Sequence, residues 1–522
     1  MENHYPIDDK TRFNVVDLFF ENAKKNPEQI AIIDAKRAVS FRILAEEVVQ
    51  TSHYFLQKGI KKGDKVLIFI GMGVDLYRTV LSLFNIGAVA VFLDPWVNKK
   101  RMEECCKTVE CQAFIGVLKA RILSIFSKQL QKIPIQLGIS FPQNHSIENA
   151  NFQAITYPQD MALITFTTGS TDTPKGSIRT HAILYAQFRA LIDKINPEKN
   201  EVNMTSLPIM LFINLAAGIT SIIPKAKLKR LHLLKPTKIL KQIDIYRVSS
   251  LIASPFFVKK IAEYALDNQI DTSQIKKIFT GGAPIFAQEA QLYLKAFPKA
   301  KIEIVYGSTE AEPISSILAK DIITHQLDKS LITKGLSVGK IDKNTTAKII
   351  SFDAKYLSIN DLEDFKKHIL LPYQVGEIIV SGHHVSKNYF NNPLAEKQNK
   401  IWIDGTCWHL TGDSGYLDEN NCLFLTGRCN TVITHQTTLI YPFIYEAILL
   451  QIPAISLATI LKIDEKIIIF VELKNKKQKN EVITQIKLLS IPHDIIECIK
   501  KIPRDLRHYA KIDYEKLKNY LP

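Results

Sequence analysis

Two short apolar runs, at 66–70 and 89–93, restrict the fold of this chain more than any other feature. All residues in both runs are apolar, so each predicted strand must be buried on both faces, and helical spacing separates the two. A strand, a helix and a strand in this order predict a parallel sheet with right-handed crossovers. The same alternation returns at 250–253, 276–280 and 302–305, where each strand ends at a loop that carries a motif. We therefore expect an α/β protein whose large N-terminal domain has parallel-rich sheets and flanking helices.

Two helix starts are predicted near the N-terminus. Asn14 is expected to cap a helix that Pro27 stops, and Ser40 is expected to cap the next helix, which ends at Gly59.

A shorter unit begins after Gly427-Arg428. It has a predicted strand at 467–473, a lysine-rich turn at 474–480 and a last loop that ends at Lys511. The sequence thus predicts a large domain at 1–427 and a small, mobile α+β lid domain at 428–522.

Composition narrows the class of protein. The 522 residues are 46% hydrophobic, which is ordinary for a multidomain globular chain. The first 29 residues lack the apolar core of a signal peptide, so a cytoplasmic location is expected. The longest uncharged apolar run, 79–93, is too short to span a bilayer. The seven cysteines show no metal-ligand spacing and are interpreted as reduced thiols.

The net charge of +15 could attract nucleic acid or an anionic membrane surface. Because the lysines are scattered and no nucleic-acid module is recognisable, we expect no nucleic-acid partner. Peripheral membrane contact stays open, and the sequence is silent on oligomeric state. A set of acidic substrates also suits a basic protein.

Residues 164–176 run from an apolar strand into a loop of hydroxyls and glycines that ends in one lysine. Short residues let backbone N–H groups converge on phosphate oxygens, while hydroxyls add donors and a lysine adds a compact charge. The loop lacks the order of a Walker motif, and a plain surface turn is the alternative. The candidate phosphate-binding residues are Thr167, Thr168, Gly169, Ser170, Thr171 and Lys175.

Further short motifs follow in a fixed order. They are Gly281-Gly282-Ala283-Pro284, Tyr306-Gly307-Ser308-Thr309-Glu310, Trp408-His409-Leu410-Thr411-Gly412-Asp413 and Gly427-Arg428. With the loop at 164–176, the set resembles the AMP-forming adenylating enzymes, the superfamily of acyl-CoA synthetases, luciferases and adenylation domains, over residues 14–522. The closest subgroup resembles the β-lactone synthetases of the olefin pathway and the fatty acid–CoA ligase-like proteins. That finer match depends on Asp94-Pro95 with 113–116, on Tyr441-Pro442 with 446–448, and on 503–512, where Lys511 follows Pro503 by eight residues.

The resemblance implies a role for each motif. The loop at 167–176 would hold the β- and γ-phosphates of ATP, Thr309 would reach the α-phosphate and Glu310 would bind Mg²⁺. Tyr306 would offer a flat face to adenine, with Gly307 and Ser308 beside it and Gly281, Gly282, Ala283 and Pro284 along the other edge. Asp413 would accept the ribose hydroxyls with help from Arg428. Lys511, carried by the lid, would bridge the carboxylate and the α-phosphate as a catalytic residue.

Four positions depart from the family pattern. Asp172 stands where relatives usually have glycine, and Asn430 occupies the hinge position. Thr434 and Thr437 replace a Lys and a Gly in the segment that receives the thiol of CoA in many relatives, which weakens the CoA hypothesis.

The expected function is ATP-dependent activation of a fatty or other apolar carboxylic acid as an acyl adenylate. The adenylate would then become an acyl-CoA or, for a 3-hydroxy acid, a β-lactone, so the expected cofactors are ATP and Mg²⁺ with CoA as an optional co-substrate. Apolar residues 207–212 stand where the family lines its acyl pocket, and core packing explains them equally well. The rival from another class is a catalytically impaired nucleotide-binding scaffold in which Asp172 marks a decayed loop.

Overall fold

A computed structural model describes residues 8–93, 99–141, 153–167, 174–327, 335–354, 361–505 and 511–520. Within these ranges the helices are α1 Asp17–Lys25, α2 Phe41–Gln57, α3 Val74–Asn85, α4 Lys99–Val109, α5 Leu118–Ile125, α6 Lys128–Gln131, α7 His181–Ile195, α8 Pro208–Ala217, α9 Pro236–Ile245, α10 Pro255–Asp267, α11 Ala287–Ala296, α12 Ala319–Leu327, α13 Leu362–His368, α14 Pro393–Asn399, α15 Pro442–Leu449, α16 Lys479–Lys487 and α17 Tyr514–Lys518. None of them is long and apolar enough to cross a membrane.

The strands in the same ranges are β1 Ile30–Ile33, β2 Ala38–Ser40, β3 Lys65–Phe69, β4 Val89–Phe92, β5 Ala113–Gly116, β6 Ile135–Leu137, β7 Met161–Thr167, β8 Lys175–Thr180, β9 Val202–Thr205, β10 Thr220–Ile222, β11 Ser250–Ala253, β12 Lys277–Gly281, β13 Lys301–Tyr306, β14 Ser315–Leu318, β15 Leu336–Ile341, β16 Thr346–Ile350, β17 Gly376–Ser381, β18 Lys400–Ile403, β19 Thr406–Leu417, β20 Cys422–Arg428, β21 Ile433–His435, β22 Thr438–Ile440, β23 Ile455–Ile463, β24 Lys466–Leu473 and β25 Ile495–Ile499.

Two sheets build the N-terminal part. The smaller has the order β6-β5-β3-β4-β7-β8, with parallel pairing throughout except for the last pair. In the larger sheet β1, β10, β9, β11, β12 and β13 are parallel neighbours, and an antiparallel run continues from β13 through β14, β15, β20, β19, β17 and β16. The predicted α/β architecture with parallel-rich sheets is confirmed. The antiparallel extension was not foreseen.

Strands β3 and β4 are buried on both faces, as the apolar runs predicted. Val66 and Ile68 pack into the cluster that also contains residues of α2 and α3, whereas Leu67 and Val91 pack into a second cluster with residues of α4. Alternate residues of a strand point to opposite faces, so the sheet lies between two layers of helices.

One of the two predicted helix caps is confirmed. The Ser40 hydroxyl accepts a hydrogen bond from the Ile43 amide at 3.3 Å and starts α2. The prediction for Asn14 is wrong, because α1 begins three residues later, at Asp17. The Asn14 side chain instead donates to the carbonyl of Phe84 at 2.7 Å and ties the chain before α1 to the end of α3.

The C-terminal part has its own three-stranded sheet, in the order β23-β24-β25, with a separate apolar cluster. Strand β24 confirms the predicted strand at 467–473. The segment at 474–480, predicted as a turn, holds a short 3₁₀ helix at Lys476–Gln478 and the first residues of α16. The domain boundary after residue 427 stays a prediction.

Candidate active site

The predicted phosphate-binding loop begins and ends on two paired strands. Thr167 ends β7 and lies opposite Lys175, which begins β8. Thr168, Gly169, Ser170, Thr171 and Asp172 lie outside the described residues, so their roles stay predictions. The ammonium group of Lys175 donates to the side-chain oxygen of Asn399 at 3.4 Å.

Glycines allow the close approach of backbones at two of the motifs. Gly281 ends β12 beside Val305 of the parallel strand β13, and a Cβ on Gly281 would lie 2.1 Å from the Val305 carbonyl oxygen. Gly282 has a φ of +88°, in the left-handed region that favours glycine. Ala283 and Pro284 continue this turn and are partly buried. These contacts explain why the Gly-Gly pair is needed at this strand end.

The segment 306–310 forms a tight turn at the end of β13. The Ser308 amide donates to the Ala311 carbonyl at 2.7 Å. A Cβ on Gly307 would lie 2.9 Å from that same carbonyl oxygen, so glycine suits this position. Thr309 and Glu310 lie within the turn, and the carbonyl of Thr309 accepts a hydrogen bond from the Arg179 guanidinium.

Contacts on either side of Glu310 fix its backbone and side chain. The Tyr389 hydroxyl donates to a Glu310 carboxylate oxygen at 3.1 Å, and the Ser386 amide donates to the Glu310 carbonyl at 2.7 Å. Burial opposes ionisation of this carboxyl most strongly. Interactions with the His409 ring and the Lys400 ammonium group, together with the Tyr389 hydrogen bond, outweigh burial, so the pKa of Glu310 lies below its usual value.

Lys400 is one residue of the candidate site that sequence reasoning missed. It begins β18, is only 6% exposed, and its ammonium group donates to the Ser386 carbonyl and lies 5.4 Å from the centre of the Tyr389 ring. Burial lowers the pKa of Lys400 to about 8, and the nearby Cys407 and Glu310 oppose that shift. A lysine at the start of the strand Lys-Ile-Trp-Ile was the available signal, but one lysine among many carries little information.

His409 lies opposite Lys400 in the β18–β19 pair. Burial, with the Lys400 charge, lowers the pKa of His409 to about 3, so this imidazole is neutral at pH 7. Its Nδ1 is 3.1 Å from the Asn399 carbonyl oxygen and must donate to it, because a carbonyl only accepts. Of these two residues, only Lys400 is a cation at neutral pH.

Side chains of β8 connect the phosphate loop to the Glu310 turn. Besides its bond to Thr309, the guanidinium of Arg179 donates to the Thr165 hydroxyl of β7 at 2.8 Å. The Ser177 hydroxyl donates to the Ser386 hydroxyl at 2.9 Å. Strands from both sheets thus share one hydrogen-bonded network, in which Arg179 and Ser386 were not predicted.

Asp413, Arg428 and Tyr306 form a second group. One carboxylate oxygen of Asp413 accepts from the Arg428 guanidinium at 2.7 Å, and the other accepts from the Tyr306 hydroxyl at 2.7 Å. Asp413 and Arg428 are register partners in β19 and β20. Each carboxylate oxygen has a second lone pair, so Asp413 retains capacity for the ribose hydroxyls. The contact between Tyr306 and Asp413 was not anticipated, and the adenine face of Tyr306 stays a prediction.

Lys175 interacts electrostatically both with Glu310 and with Arg428 of the Asp413, Arg428 and Tyr306 group. Burial lowers the pKa of Lys175, the negative charge of Glu310 raises it, and the positive charge of Arg428 lowers it further. The structure therefore brings together the lysine of the phosphate loop, the predicted Mg²⁺ ligand and the predicted ribose-binding pair.

Glu310 fits the predicted metal. It is an ionised oxygen donor, and Mg²⁺ commonly takes one or two carboxylates together with phosphate oxygens. In the described ranges, no group of three or more His, Cys, Asp or Glu side chains is arranged to hold a metal ion. A metal at Glu310 would therefore take most of its ligands from ATP and water. A single ionised carboxylate is compatible with an Mg²⁺ ion that takes its other ligands from ATP phosphates and water.

Lys511 lies in the loop that precedes α17 and is exposed. Its amide donates to the Asp505 carboxylate at 2.9 Å, and its carbonyl accepts from the Asp505 amide at 2.8 Å. A salt bridge of 2.9 Å between Arg504 and Glu472 of β24 anchors the start of this tail. Arg507 and His508, which belong to the same tail motif, lie outside the described residues. The catalytic role of Lys511 stays a prediction.

Three of the four positions that depart from the family pattern lie around the start of the C-terminal part. Asn430 lies in a short 3₁₀ helix, Cys429–Thr431, directly after Arg428. Thr434 and Thr437 are exposed on the hairpin formed by β21 and β22. Asn430 does not have a positive φ, so its hinge role stays a prediction.

The apolar segment at 207–212 was predicted to line an acyl pocket or to pack in the core, and its residues differ in which explanation they favour. Met210 and Leu211 of α8 are buried in core clusters, which favours packing. Leu207 and Ile209 are only partly buried and pack against the same apolar cluster as Val305, which is one residue before Tyr306. These two side chains are the better candidates for an acyl pocket.

Comparison with known proteins identifies the family and the fold. The chain is 25% identical over 444 residues to an olefin beta-lactone synthetase of Stenotrophomonas maltophilia. The aligned region covers 80% of this chain and 79% of that protein. It is 23% identical over 438 residues to 4-coumarate-CoA ligase 1 of Narcissus pseudonarcissus, with coverage of 78% and 73%. The fold matches that of O-succinylbenzoate Coenzyme A synthetase (MenE) of Bacillus subtilis in complex with AMP, with a TM-score of 0.77, 20% identity and 98% coverage of each chain. A family model described as AMP-binding enzyme matches residues 19–390, and the chain belongs to this family of AMP-forming ligases that adenylate carboxylic acids.

Proposed function

We propose that this protein activates a fatty or other apolar carboxylic acid with ATP and converts a 3-hydroxy acid to a β-lactone. The position of Glu310 is the observation that supports activation of the acid with ATP. Glu310 is an ionised carboxylate held beside Lys175 and Lys400. Together with Asp413 and Arg428, it provides a place for each charged part of Mg²⁺·ATP.

In the first step a carboxylate oxygen of the substrate attacks the α-phosphorus of ATP. The new bond joins that oxygen to phosphorus, the bond to the β-phosphate oxygen breaks, and pyrophosphate leaves. Bound Mg²⁺ would neutralise phosphate charge, and Glu310 would hold it. The chain's own cations, Lys175 and Lys511, would stabilise the negative charge that the two anions bring together.

In the second step the 3-hydroxyl oxygen of the same acid attacks the activated carbonyl carbon. The carbon–oxygen bond to AMP breaks, the hydroxyl proton is released to solvent, and a four-membered lactone forms. This nucleophile belongs to the substrate, so it gains the high effective concentration of an intramolecular reaction and needs no thiol site. Thr434 and Thr437 in the exposed hairpin, and the likeness to an olefin beta-lactone synthetase, support this fate.

The second candidate is an acyl-CoA ligase, in which a thiol captures the adenylate. The likeness to 4-coumarate-CoA ligase 1 supports it. The two candidates share the first step and differ only in the nucleophile of the second.

The deciding experiment follows products by mass spectrometry. The protein is incubated with ATP, Mg²⁺ and either a fatty acid or its 3-hydroxy counterpart, each with and without CoA. We expect AMP and a β-lactone from the 3-hydroxy acid without CoA, and a bound adenylate from the plain acid. Thioester from the plain acid, with no lactone from its counterpart, would instead assign the protein to the CoA ligases.

A separate assay tests the shared step. Exchange between pyrophosphate and ATP should depend on the acid, and Glu310→Gln should lower it about a hundredfold because a preorganised charge is lost. Glu465→Gln is the matched control, because that side chain is 90% exposed. Absence of exchange with every acid, in folded protein, would favour the nucleotide-binding scaffold.

A further inference from the structure

Helix α5 has an apolar outward face. Leu118, Leu123, Ile125 and Phe126 are between 63% and 70% exposed, and Ile122 is 49% exposed. These five residues, four in α5 and one directly after it, are called the α5 face below. The helix buries only small side chains, Ala120 and Ser124.

The orientation is the reverse of that in an ordinary surface helix. Successive residues of an α-helix are about 100° apart, so Leu118, Ile122, Ile125 and Phe126 lie on one side and Ala120 and Ser124 lie on the other. A helix packed on a protein core normally turns its large apolar side chains inward and its polar side chains outward. Exposed apolar patches of this kind mark interaction sites.

Basic residues surround the α5 face. Arg121 is exposed at one edge of the α5 face, Lys119 is exposed between Phe126 and Leu123, and Lys128 and Lys132 follow in and after α6. Between Glu110 and Glu148 the sequence has no acidic residue. An apolar strip with several adjacent cations complements a bilayer whose headgroups are anionic and whose acyl chains lie just below them.

The position of α5 leaves this surface clear of the active site. The helix connects β5 to β6, and β6 is the outer strand of the smaller sheet. Three strands, β5, β3 and β4, separate β6 from β7, which leads into the phosphate loop. Docking through α5 is therefore compatible with an accessible site.

We propose that the α5 face docks on the surface of an anionic lipid bilayer. The helix lies in the plane of the interface, its apolar side chains enter the boundary between headgroups and acyl chains, and the flanking cations contact lipid phosphates. The docking does not depend on the reaction that the enzyme catalyses.

The test measures binding of the full chain to vesicles by sedimentation. Vesicles contain phosphatidylcholine alone or with one third phosphatidylglycerol. We expect binding to the anionic vesicles that falls with salt, and a partition coefficient at least about tenfold lower for Leu123→Gln/Phe126→Gln. The charge variant Lys119→Gln/Arg121→Gln should bind more weakly and with a smaller salt dependence.

Two control variants carry the same kinds of substitution, apolar to Gln and basic to Gln, at exposed positions away from α5. Leu371 and Leu488 are 70% and 81% exposed, so Leu371→Gln/Leu488→Gln removes a similar apolar area. Lys476→Gln/Lys477→Gln removes two exposed charges. Both should bind within about twofold of the wild type if the α5 face is responsible.

Three results would overturn the proposal. The first is no binding of the wild type to anionic vesicles, and the second is an equal loss in the α5-face and control variants. The third is a dimer, measured by light scattering, that the Leu123→Gln/Phe126→Gln change abolishes while vesicle binding persists. Should that variant fold poorly, Phe126→Trp gives an independent measurement, because its emission should shift to shorter wavelength only with anionic vesicles.

Discussion

The buried carboxyl of Glu446 gives a quantitative prediction about the C-terminal part. Glu446 in α15 is 3% exposed, and its carboxyl accepts hydrogen bonds from the Thr459 hydroxyl at 2.5 Å and the Tyr514 hydroxyl at 3.5 Å. Burial raises the pKa of Glu446 from 4.5 to about 7, although these two hydrogen bonds oppose the shift. A difference of this size corresponds to about 3 kcal/mol.

The folded protein binds the Glu446 proton more tightly than the unfolded chain does, and this sets the direction in which stability changes with pH. Because the folded-state pKa is the higher one, the contribution of Glu446 to stability is fully present below pH 4.5 and is lost as the pH rises through about 7. Glu446→Gln keeps a neutral, hydrogen-bonding side chain at all pH values. We therefore expect no gain in the free energy of unfolding near pH 4, a growing gain between pH 5 and 7, and at most about 3 kcal/mol at pH 8.

Hydrogen exchange is the suitable assay, because a protein with more than one cooperative unit has no single free energy of unfolding. Exchange of peptides from β23 and β24 is compared between variant and wild type at each pH. Glu465→Gln, in the exposed turn between these strands, is the control. If Glu446→Gln increased protection from exchange equally at pH 5 and pH 8, the titration argument would be refuted. A loss of protection in this variant at pH 8 would refute it as well.

The other predictions concern catalysis. Asp413→Ala should raise the KM for ATP at least about tenfold in steady-state kinetics, because Arg428 and Tyr306 lose their shared partner; an unchanged KM would contradict the ribose assignment. Lys511→Ala should lower adenylate formation about a hundredfold in a pyrophosphate exchange assay with little change in ATP affinity, and near-normal exchange would show that the tail assignment is wrong. The pKa of Lys400 is about 8, so kcat/KM for ATP should fall as the pH rises past 8 and the lysine loses its charge. Lys400→Arg should remove that fall and Lys400→Met should lower the rate below pH 8, whereas a wild-type profile in both would exclude a role for this charge.

Local patterns predicted the parallel parts of the fold well. Strand β11 has the predicted bounds, and β3, β4 and β13 differ from them by one residue at one or both ends, because continuous apolar runs must be buried on both faces. Asn14 illustrates the limit of such rules. Its amide has an alternative partner in the Phe84 carbonyl, 70 residues away, which no local window can include.

The site was predicted where residues form motifs and missed where they act singly. Glu310, Asp413 and Arg428 stand in recognisable strings, and the structure places the last two in contact. Lys400, Arg179 and Ser386 take part through pairings between distant segments, and their residue types are common. Their roles depend on burial and on the strands opposite them, which the sequence alone does not specify.

The order of strands has a consequence for synthesis of the chain. Strand β1 pairs in parallel with β10, Ile32 opposite Ser221, yet the whole smaller sheet lies between them in sequence. At about 5 to 20 residues per second, the ribosome needs roughly 10 to 40 s to make the intervening residues. The smaller sheet is complete at Thr180 before β10 exists. The edge of β1 that pairs with β10 in the folded protein therefore stays without that partner throughout this interval.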